Sequence, residues 1–205
     1  MIEILHDFIR SRRSYRHFDP APIPRPVLER VLRTATWAPS AHNQQPWRFA
    51  VLTSPQSKSR LAQAMGHHFY QDLLQEGLSL AEAETRTQRS RSRIEGAPAA
   101  VLLCLDPQDV DRMPGETQQN LELHMAVQRV ALAGGTLLLA AHAEGLASVW
   151  MCAPLFAGPI ALEALGLPST WQPQALLLLG YPPGKNQPLP DRTRRPLEEV
   201  VFFLD

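Results

Sequence analysis

The chain has 205 residues, 44% of them hydrophobic, and its 20 lysines and arginines are balanced by 20 aspartates and glutamates. This length suits a single domain spanning residues 1–205, and this hydrophobic content excludes a wholly disordered chain. A general nucleic-acid binder carries a basic excess, so we expect no nucleic-acid partner and expect any bound anion to be held by a local cluster of charge.

The N-terminal sequence MIEILHDFIR lacks a basic segment followed by an apolar core, so it is not expected to be a signal peptide. The longest apolar stretch, VALAGGTLLLAA, is about twelve residues long, whereas a membrane span needs roughly twenty. Cys104 and Cys152 lie in apolar runs without metal-ligand spacing, which predicts two buried thiols. We therefore expect a soluble, cytoplasmic protein with no membrane contact and no metal.

In chain order, the first predicted elements are two helices and a strand. Apolar periodicity predicts a short amphipathic helix over residues 2–10 and a second helix that begins near Pro26, after a proline-rich connector. The sequence WRFAVLT, residues 47–53, alternates as a strand does. Helical patterns follow at residues 58–65 and 69–94, and APAAVLLCLD is typical of a buried strand.

The longest predicted element is a helix over residues 118–144. Its middle is apolar on all sides, which predicts burial all round. Gly134 and Gly135 each cost the helix about 1 kcal/mol relative to alanine, so we expect another backbone or a flat ligand to approach closely there. The strands ASVWM and QALLLLGYP follow, separated by a short helix. Strands that alternate with helices predict an α+β domain with helices packed on one central sheet.

The segment RSRRSYRHF, residues 10–18, concentrates positive charge beside a serine and an aromatic residue. Guanidinium groups bind phosphate oxygens in pairs and a hydroxyl adds a neutral donor, so the pattern is typical of a phosphate-monoester site. A solvated basic surface at the C-terminal end of the first helix is the alternative. A second segment, APSAHNQQPWRF, residues 38–49, offers amide donors and acceptors that suit either a heteroaromatic edge or an ordinary polar loop.

Taken together and in this order, these two segments resemble the FMN-dependent nitroreductase family. R-R-S-Y-R resembles its phosphate-binding segment, and P-S-A-H-N-Q-Q-P-W resembles its flavin-contacting loop. GLASVWMCAPLF resembles the segment that lies along the flavin after the long central helix, and RTRRPLEEVV resembles the closing basic element. The resemblance covers the whole chain. Within the family, AAHAEGLASVWMCAPLF and LGLPSTWQPQALLLLGYP are similar to the flavin domain of the enzymes that build the deazaflavin coenzyme.

The resemblance implies an α+β fold with a central, mostly antiparallel sheet flanked by helices, in an intertwined homodimer with FMN at its interface. The residues that it implies for the FMN phosphate are Arg12, Ser14 and Arg16, with Arg13 as a further candidate and with Arg192 and Arg194 from the C-terminal end. Those that it implies for the flavin ring, some of them from the opposite subunit, are Pro39, Ser40, Asn43, Gln45 and the backbone around Met151, Cys152 and Ala153. It also implies a basic residue at the pyrimidine oxygen, which is Arg93 or, alternatively, Arg91.

The activity implied by the resemblance is the ping-pong transfer of hydride from NAD(P)H to an electron-poor small molecule, such as a nitroaromatic, a quinone or an activated double bond. The cofactor carries this chemistry, so no catalytic side chain is implied. Some relatives carry an acidic residue and a glycine at the positions of Cys152 and Ala153, and the family loop often has a hydroxyl where this chain has Ala41. The substrate class therefore stays open. No G-x-G-x-x-G motif follows a strand, so no Rossmann dinucleotide site is predicted.

Three alternative functions also stay open. A dedicated biosynthetic reductase for a deazaflavin-coenzyme precursor would need extra positive charge, which RTQRSRSR, residues 86–93, could supply unless it is simply a solvated helix face. A non-catalytic flavin-binding protein would use the same cofactor contacts. A small RNA-binding protein fits poorly with the neutral overall charge. His67 and His68 are predicted to be exposed at a helix start rather than to bind a metal.

Overall fold

The computed structural model describes residues 2–184 and 192–204. Helices and strands alternate along this part of the chain, and their bounds are α1 Ile2–Ser11, α2 Arg25–Ala35, β1 Trp47–Leu52, α3 Pro55–Gln75, α4 Leu80–Gly96, β2 Ala99–Leu105, α5 Glu116–Ala143, β3 Ala147–Met151, α6 Gly158–Leu165 and β4 Gln172–Gly180. The predicted strands are all present: β3 has its predicted bounds, and the bounds of the other three differ by one to a few residues.

The strands form one four-stranded sheet in the order β1-β2-β4-β3, and each neighbouring pair is antiparallel. Trp47 pairs with Leu105 at one end of β2, and Ala99 pairs with Leu179 at the other. Helices connect the paired strands, because β1 leads to β2 through α3 and α4, and β3 leads to β4 through α6. The predicted α+β fold with a mostly antiparallel sheet is confirmed.

Helices cover both faces of the sheet, and this explains why β2 is a continuous apolar run rather than an alternating one. Val101 and Leu103 point to the face that α2 and α5 cover, whereas Leu102 and Cys104 point to the face that α3, α4 and α6 cover. Each of these side chains is fully buried. Burial of each large apolar side chain contributes about 1.5–3 kcal/mol, so the centre of the sheet is the main source of stability.

Within one protomer the long helix α5 is buried on one face only, and the predicted burial all round, in which a partner subunit covers the rest of the helix, stays a prediction. Ala133 and Leu137 are fully buried against the sheet, whereas Leu121 is 60% and Leu132 is 50% exposed. By length and composition α5 could cross a membrane, but the core helix of a soluble protein passes the same test, and the inner face of α5 is part of the core here.

The two glycines of α5 have different surroundings. A Cβ atom on Gly134 would lie 2.3 Å from Cζ3 of Trp150, so the close approach is made by an indole ring, neither a backbone nor a flat ligand as predicted. A Cβ atom on Gly135 would meet nothing within 4 Å.

The boundary between α3 and α4 differs from the prediction. α3 continues through His67 and His68, which therefore lie inside a helix rather than at a helix start. α4 begins after Ser79, whose hydroxyl caps the N–H of Glu82 at 3.3 Å. α3 continues through Gly66. A Cβ atom at this position would lie 2.8 Å from Cδ of Arg91, so the glycine makes room for that side chain.

Candidate functional site

The basic segment after α1 lies along the start of β3. The backbone N–H of Tyr15 donates to the carbonyl oxygen of Ser148 at 3.0 Å, and Ser14 and Ser148 form a parallel bridge. β3 ends at Met151, and a turn of 3-10 helix follows at Ala153–Leu155. Two sequence motifs that are far apart in the chain are thus neighbours along one edge of the sheet.

Helix α1 is anchored on the end of α5 through His142. The hydroxyl of Ser11 lies 2.8 Å from Nε2 of His142, and the ring of Phe8 stacks on the imidazole with centroids 4.8 Å apart. Burial and, next, the charge of Arg12 lower the pKa of His142, although a backbone hydrogen bond with Phe8 opposes this. Arg12 is therefore placed beside the C-terminal end of α5.

An open groove with a volume of about 770 Å³ runs along the outer face of α5, and Arg12 lies in its wall. The remaining lining comes from α5 itself and includes Gln128, Leu132, Gly135 and Thr136. Because Gly135 has no side chain and a Cβ atom built there would meet nothing within 4 Å, the floor of the groove is open at this position.

Arg16 and Arg93 lie together in a small basic pocket of about 160 Å³, which Phe18 and Gly96 also line. Burial first, then the positive charges of Arg16 and Arg89, lower the pKa of the Arg93 guanidinium. Its Nε atom is buried without a hydrogen-bond partner. Among the described residues no carboxylate pairs with Arg16 or Arg93, so the pocket carries uncompensated positive charge that an anionic ligand would stabilise.

Arg91, the alternative to Arg93, lies elsewhere on α4. Its Cγ and Cδ atoms pack against Gly66 of α3. The structure therefore brings Arg93, and not Arg91, to Arg16.

The loop before β1 is held in a strained conformation. His42, Asn43 and Gln45 have φ angles of 52°, 54° and 50°, a left-handed region that residues other than glycine rarely adopt. The hydroxyl of Ser40 accepts a hydrogen bond of 3.2 Å from the backbone N–H of Gln45. Such strain clusters at binding sites, where the surrounding structure imposes it.

A buried ion pair on α5 holds this loop, and the sequence analysis missed it. Nη1 of Arg129 lies 3.0 Å from Oε1 of Glu122, and the two residues are only 5% and 3% exposed. The same Nη1 donates to the side-chain oxygen of Gln44 in the loop. The signal was present in the sequence, because a glutamate and an arginine seven residues apart share one face of a largely apolar helix.

The end of β3 places Met151 in a half-buried position and Cys152 at the surface, where Nε1–H of Trp150 donates to its sulfur at 3.3 Å. The prediction that both cysteines are buried is thus wrong for Cys152, because it lies beyond the covered part of the strand. Cys104 is buried in the sheet, and burial raises the pKa of its thiol to about 12.

Arg192 and Arg194 are exposed near the C-terminal end. Nη1 of Arg194 donates to the carbonyl oxygens of Arg192 and Thr193, at 3.4 Å and 3.3 Å. Between described residues, no hydrogen bond or ion pair joins these two arginines to the N-terminal basic segment. Their contribution to the same anion site stays a prediction, as does that of Arg13. The contact of the exposed Pro39 with the flavin ring also stays a prediction.

The chain is similar to known proteins over most of its length. The family model for the nitroreductase family matches residues 9–181. Human iodotyrosine deiodinase 1 is 27% identical over 97% of this chain and 68% of its own length, and iodotyrosine deiodinase of Nematostella vectensis is 28% identical over 95% and 73%.

Solved structures resemble the whole chain. A protein from Desulfovibrio desulfuricans, described as a nitroreductase in complex with FMN, is 25% identical with a TM-score of 0.69 and covers 96% of this chain and 94% of its own. A nitroreductase-like protein from Bacillus cereus is 20% identical with a TM-score of 0.74 over 98% and 95%, which shows the shared fold.

Proposed function

Because the chain belongs to the nitroreductase family, whose model matches it over residues 9–181, we propose that it is an FMN-dependent oxidoreductase that transfers hydride from NAD(P)H to an electron-poor small molecule. The observation that carries the proposal is the pair Arg16 and Arg93, two cations that line one pocket and that form no ion pair with any carboxylate of the described residues. Arg16 belongs to the segment that follows α1 and hydrogen-bonds to β3, and Arg93 belongs to α4, the helix that precedes β2.

The residues around this pair fit FMN. Arg12, Ser14 and Arg16 supply guanidinium and hydroxyl donors of the kind that bind a phosphate. The buried, unpartnered Nε of Arg93 is a donor in need of an acceptor, and a flavin carbonyl oxygen would satisfy it. The polar loop at Asn43 offers amide groups for a heteroaromatic edge.

When bound, FMN would supply the hydride-transfer chemistry between NAD(P)H and an acceptor such as a quinone, whose second proton would come from solvent. The contribution of this chain is electrostatic and positional. Arg93 would place fixed positive charge at the pyrimidine oxygen, where negative charge develops during reduction, whereas Arg16 would bind the phosphate. The Glu122–Arg129 pair holds the strained loop through Gln44, and the backbone from Met151 to Ala153 would lie along the flavin edge.

The first test is the absorbance spectrum of the purified protein, followed by anaerobic titration with NADH and with NADPH. A flavin spectrum that bleaches with either nicotinamide supports the proposal. A bound flavin that is reduced by neither NADH nor NADPH indicates a non-catalytic binding protein.

We expect the double variant Arg16→Gln and Arg93→Gln to bind FMN at least tenfold more weakly with its circular dichroism unchanged, since charge-assisted hydrogen bonds contribute about 1.5–3 kcal/mol each. Arg33→Gln on α2, an exposed arginine, is the control. Unchanged FMN affinity in the double variant would contradict the assignment.

The acceptor is tested with the reduced protein. Reoxidation by menadione or nitrofurazone supports the broad oxidoreductase, whereas selective reoxidation by a deazaflavin-coenzyme precursor supports the biosynthetic alternative. The similarity to iodotyrosine deiodinases adds an iodinated tyrosine as a third acceptor, with release of iodide as the readout.

We also propose that the protein is a homodimer with FMN at its interface. Apolar side chains are exposed on α1, on the outer face of α5 and at the C-terminal end, among them Ile2 at 74%, Leu132 at 50% and Phe203 at 84%. Exposed apolar area of this extent is typical of a surface that a partner covers. Sedimentation should show a dimer, and Leu132→Glu should shift it towards monomer; a monomeric parent protein would contradict the proposal. The cytoplasmic location stays a prediction.

A further inference from the structure

A second pocket, with a volume of about 240 Å³, lies between α3, α4 and the turn that follows β3. Its walls are mostly apolar and include Met65 and Phe69 of α3, Ile94 of α4, and Ala153 and Phe156 of the turn. An apolar cavity of about 150 Å³ is large enough for benzene. This pocket therefore has room for one aromatic ring and a short substituent, and at Ala153 it adjoins the proposed flavin edge.

The charged groups of the pocket are carboxylates. Asp72 lies in the last turn of α3 and Glu76 caps the C-terminal end of that helix; both line the pocket, whereas no lysine or arginine among the described residues does. Neither forms an ion pair with a lysine or arginine among the described residues. Arg91 is on the neighbouring helix, but it packs its side-chain carbons on Gly66 and is not part of the lining.

His68 fixes one wall of the pocket. Its Nε2 lies 3.0 Å from the carbonyl oxygen of Phe156, so this nitrogen carries the proton and donates it, and it lies 3.6 Å from Oδ2 of Asp72. The turn that carries Ala153 and the helix that carries the carboxylates are thereby joined. A ligand in the pocket would contact both.

We propose that this pocket binds a small arylalkyl amine, with its ring between Phe69 and Ile94 and its ammonium group at Asp72 and Glu76. An ammonium group has three donors and no acceptor, which matches a pair of carboxylates. An aromatic acid of the same size would bring a like charge to them. The inference rests on the proposed function for one point, that a ligand in this pocket lies beside the flavin and is a substrate of that site.

The test is isothermal titration of the FMN-loaded protein with 2-phenylethylamine, 2-phenylethanol and 3-phenylpropionate, which share a ring and differ in charge. We expect the amine to bind about tenfold more tightly than the alcohol, the difference that one charge-assisted hydrogen bond supplies, and the acid to bind most weakly. In the double variant Asp72→Asn and Glu76→Gln this preference should fall to near unity. Glu84→Gln, an exposed carboxylate on α4, should retain it.

Two results would overturn the inference: equal binding of the three ligands to the parent protein, or a preference that survives in the double variant. Ser90→Leu, which adds bulk at the lining, should weaken all three ligands, and unchanged affinities there would contradict the location of the ring. A shift of the flavin absorbance band on adding the amine supports the position beside the flavin.

The two proposals fail separately. Protein that binds no FMN but retains the Asp72- and Glu76-dependent preference would contradict the proposed function and support the pocket. Protein that binds FMN and is reduced by NAD(P)H, but binds the three ligands equally, would support the proposed function and contradict the inference about the pocket.

Discussion

The two faces of α5 are built from the same kinds of residue but have opposite surroundings. The inner face packs Ala133 and Leu137 against the sheet with no exposed area, whereas the outer face leaves Leu121 and Leu132 at least half exposed. Hydrophobicity alone therefore does not say which face enters the core. The two faces differ in how closely their residues are packed and in their polar contacts. The inner face has the close contact between Gly134 and Trp150 and the buried Glu122–Arg129 ion pair. The outer face has the open groove at Gly135.

The largest expected change in stability comes from a substitution on the inner face of α5. Arg129→Met leaves the carboxylate of Glu122 buried without its partner, which should lower the free energy of unfolding by about 3–5 kcal/mol. Chemical denaturation of parent and variant measures the difference. Since Arg129 also bonds Gln44, the loop at residues 40–45 should become more susceptible to proteolysis.

The matched control replaces both partners with apolar residues, Glu122→Leu with Arg129→Met. Removal of a whole buried pair is often neutral for stability, so this variant should recover most of the loss. We expect the loop to stay unanchored and FMN affinity to stay reduced. Full recovery of FMN affinity would show that the pair stabilises the fold without positioning the loop.

The next largest changes in stability are expected from alanine substitutions at the two glycines of α5. Gly134→Ala puts a methyl group 2.3 Å from Trp150 and 2.7 Å from Leu103, and overpacking of this kind costs about 1–3 kcal/mol. The improved helix propensity of alanine offsets only part of that cost. Thermal or urea unfolding should show a clear decrease in stability.

Gly135→Ala is the same chemical change one residue later, and it should have the opposite sign. No atom of the same protomer lies within 4 Å of the new Cβ, so the helix of the isolated protomer should gain up to about 1 kcal/mol. Equal losses in the two variants would contradict the distinction between the faces.

The smallest expected effect concerns pH at the end of α5. The pKa of His142 in the folded protein lies below its usual value of 6.5, so the unfolded chain binds the proton more readily. The contribution of His142 to stability is therefore present above that value and is lost as the pH falls below it. His142→Gln should have a smaller decrease in unfolding free energy between about pH 7 and pH 5 than the parent protein, and identical slopes would contradict this.

The fold was largely predictable because strand and helix periodicities survive in the sequence. β3 was predicted over its observed range, and the short helix and strands around it were found because each is apolar and flanked by turn residues. The predicted break between α3 and α4, at residues 66–68, lies inside α3, where Gly66 accommodates the side chain of Arg91. Such a contact depends on a residue of another helix, and local pattern does not contain it.

The candidate site was predictable only in part. The segments at Arg16 and Ser40 were singled out from their residue types, but nothing in those segments indicates that Arg93 of α4 lines the same pocket as Arg16. The Glu122–Arg129 pair was overlooked because charged residues in an amphipathic helix are usually assigned to solvent. The surface position of Cys152 was missed because an apolar run does not reveal where a strand leaves its covered part.

The connections between the strands have a consequence for how the protein folds. No pair of neighbouring strands is joined by a tight turn, because whole helices intervene in each connection. Each pairing must therefore close a long loop before its hydrogen bonds and side-chain contacts repay the lost chain entropy. We expect a slow folder for its size, in which the helices form early and the central pairing of β2 with β4 waits for nearly the whole chain to be synthesised.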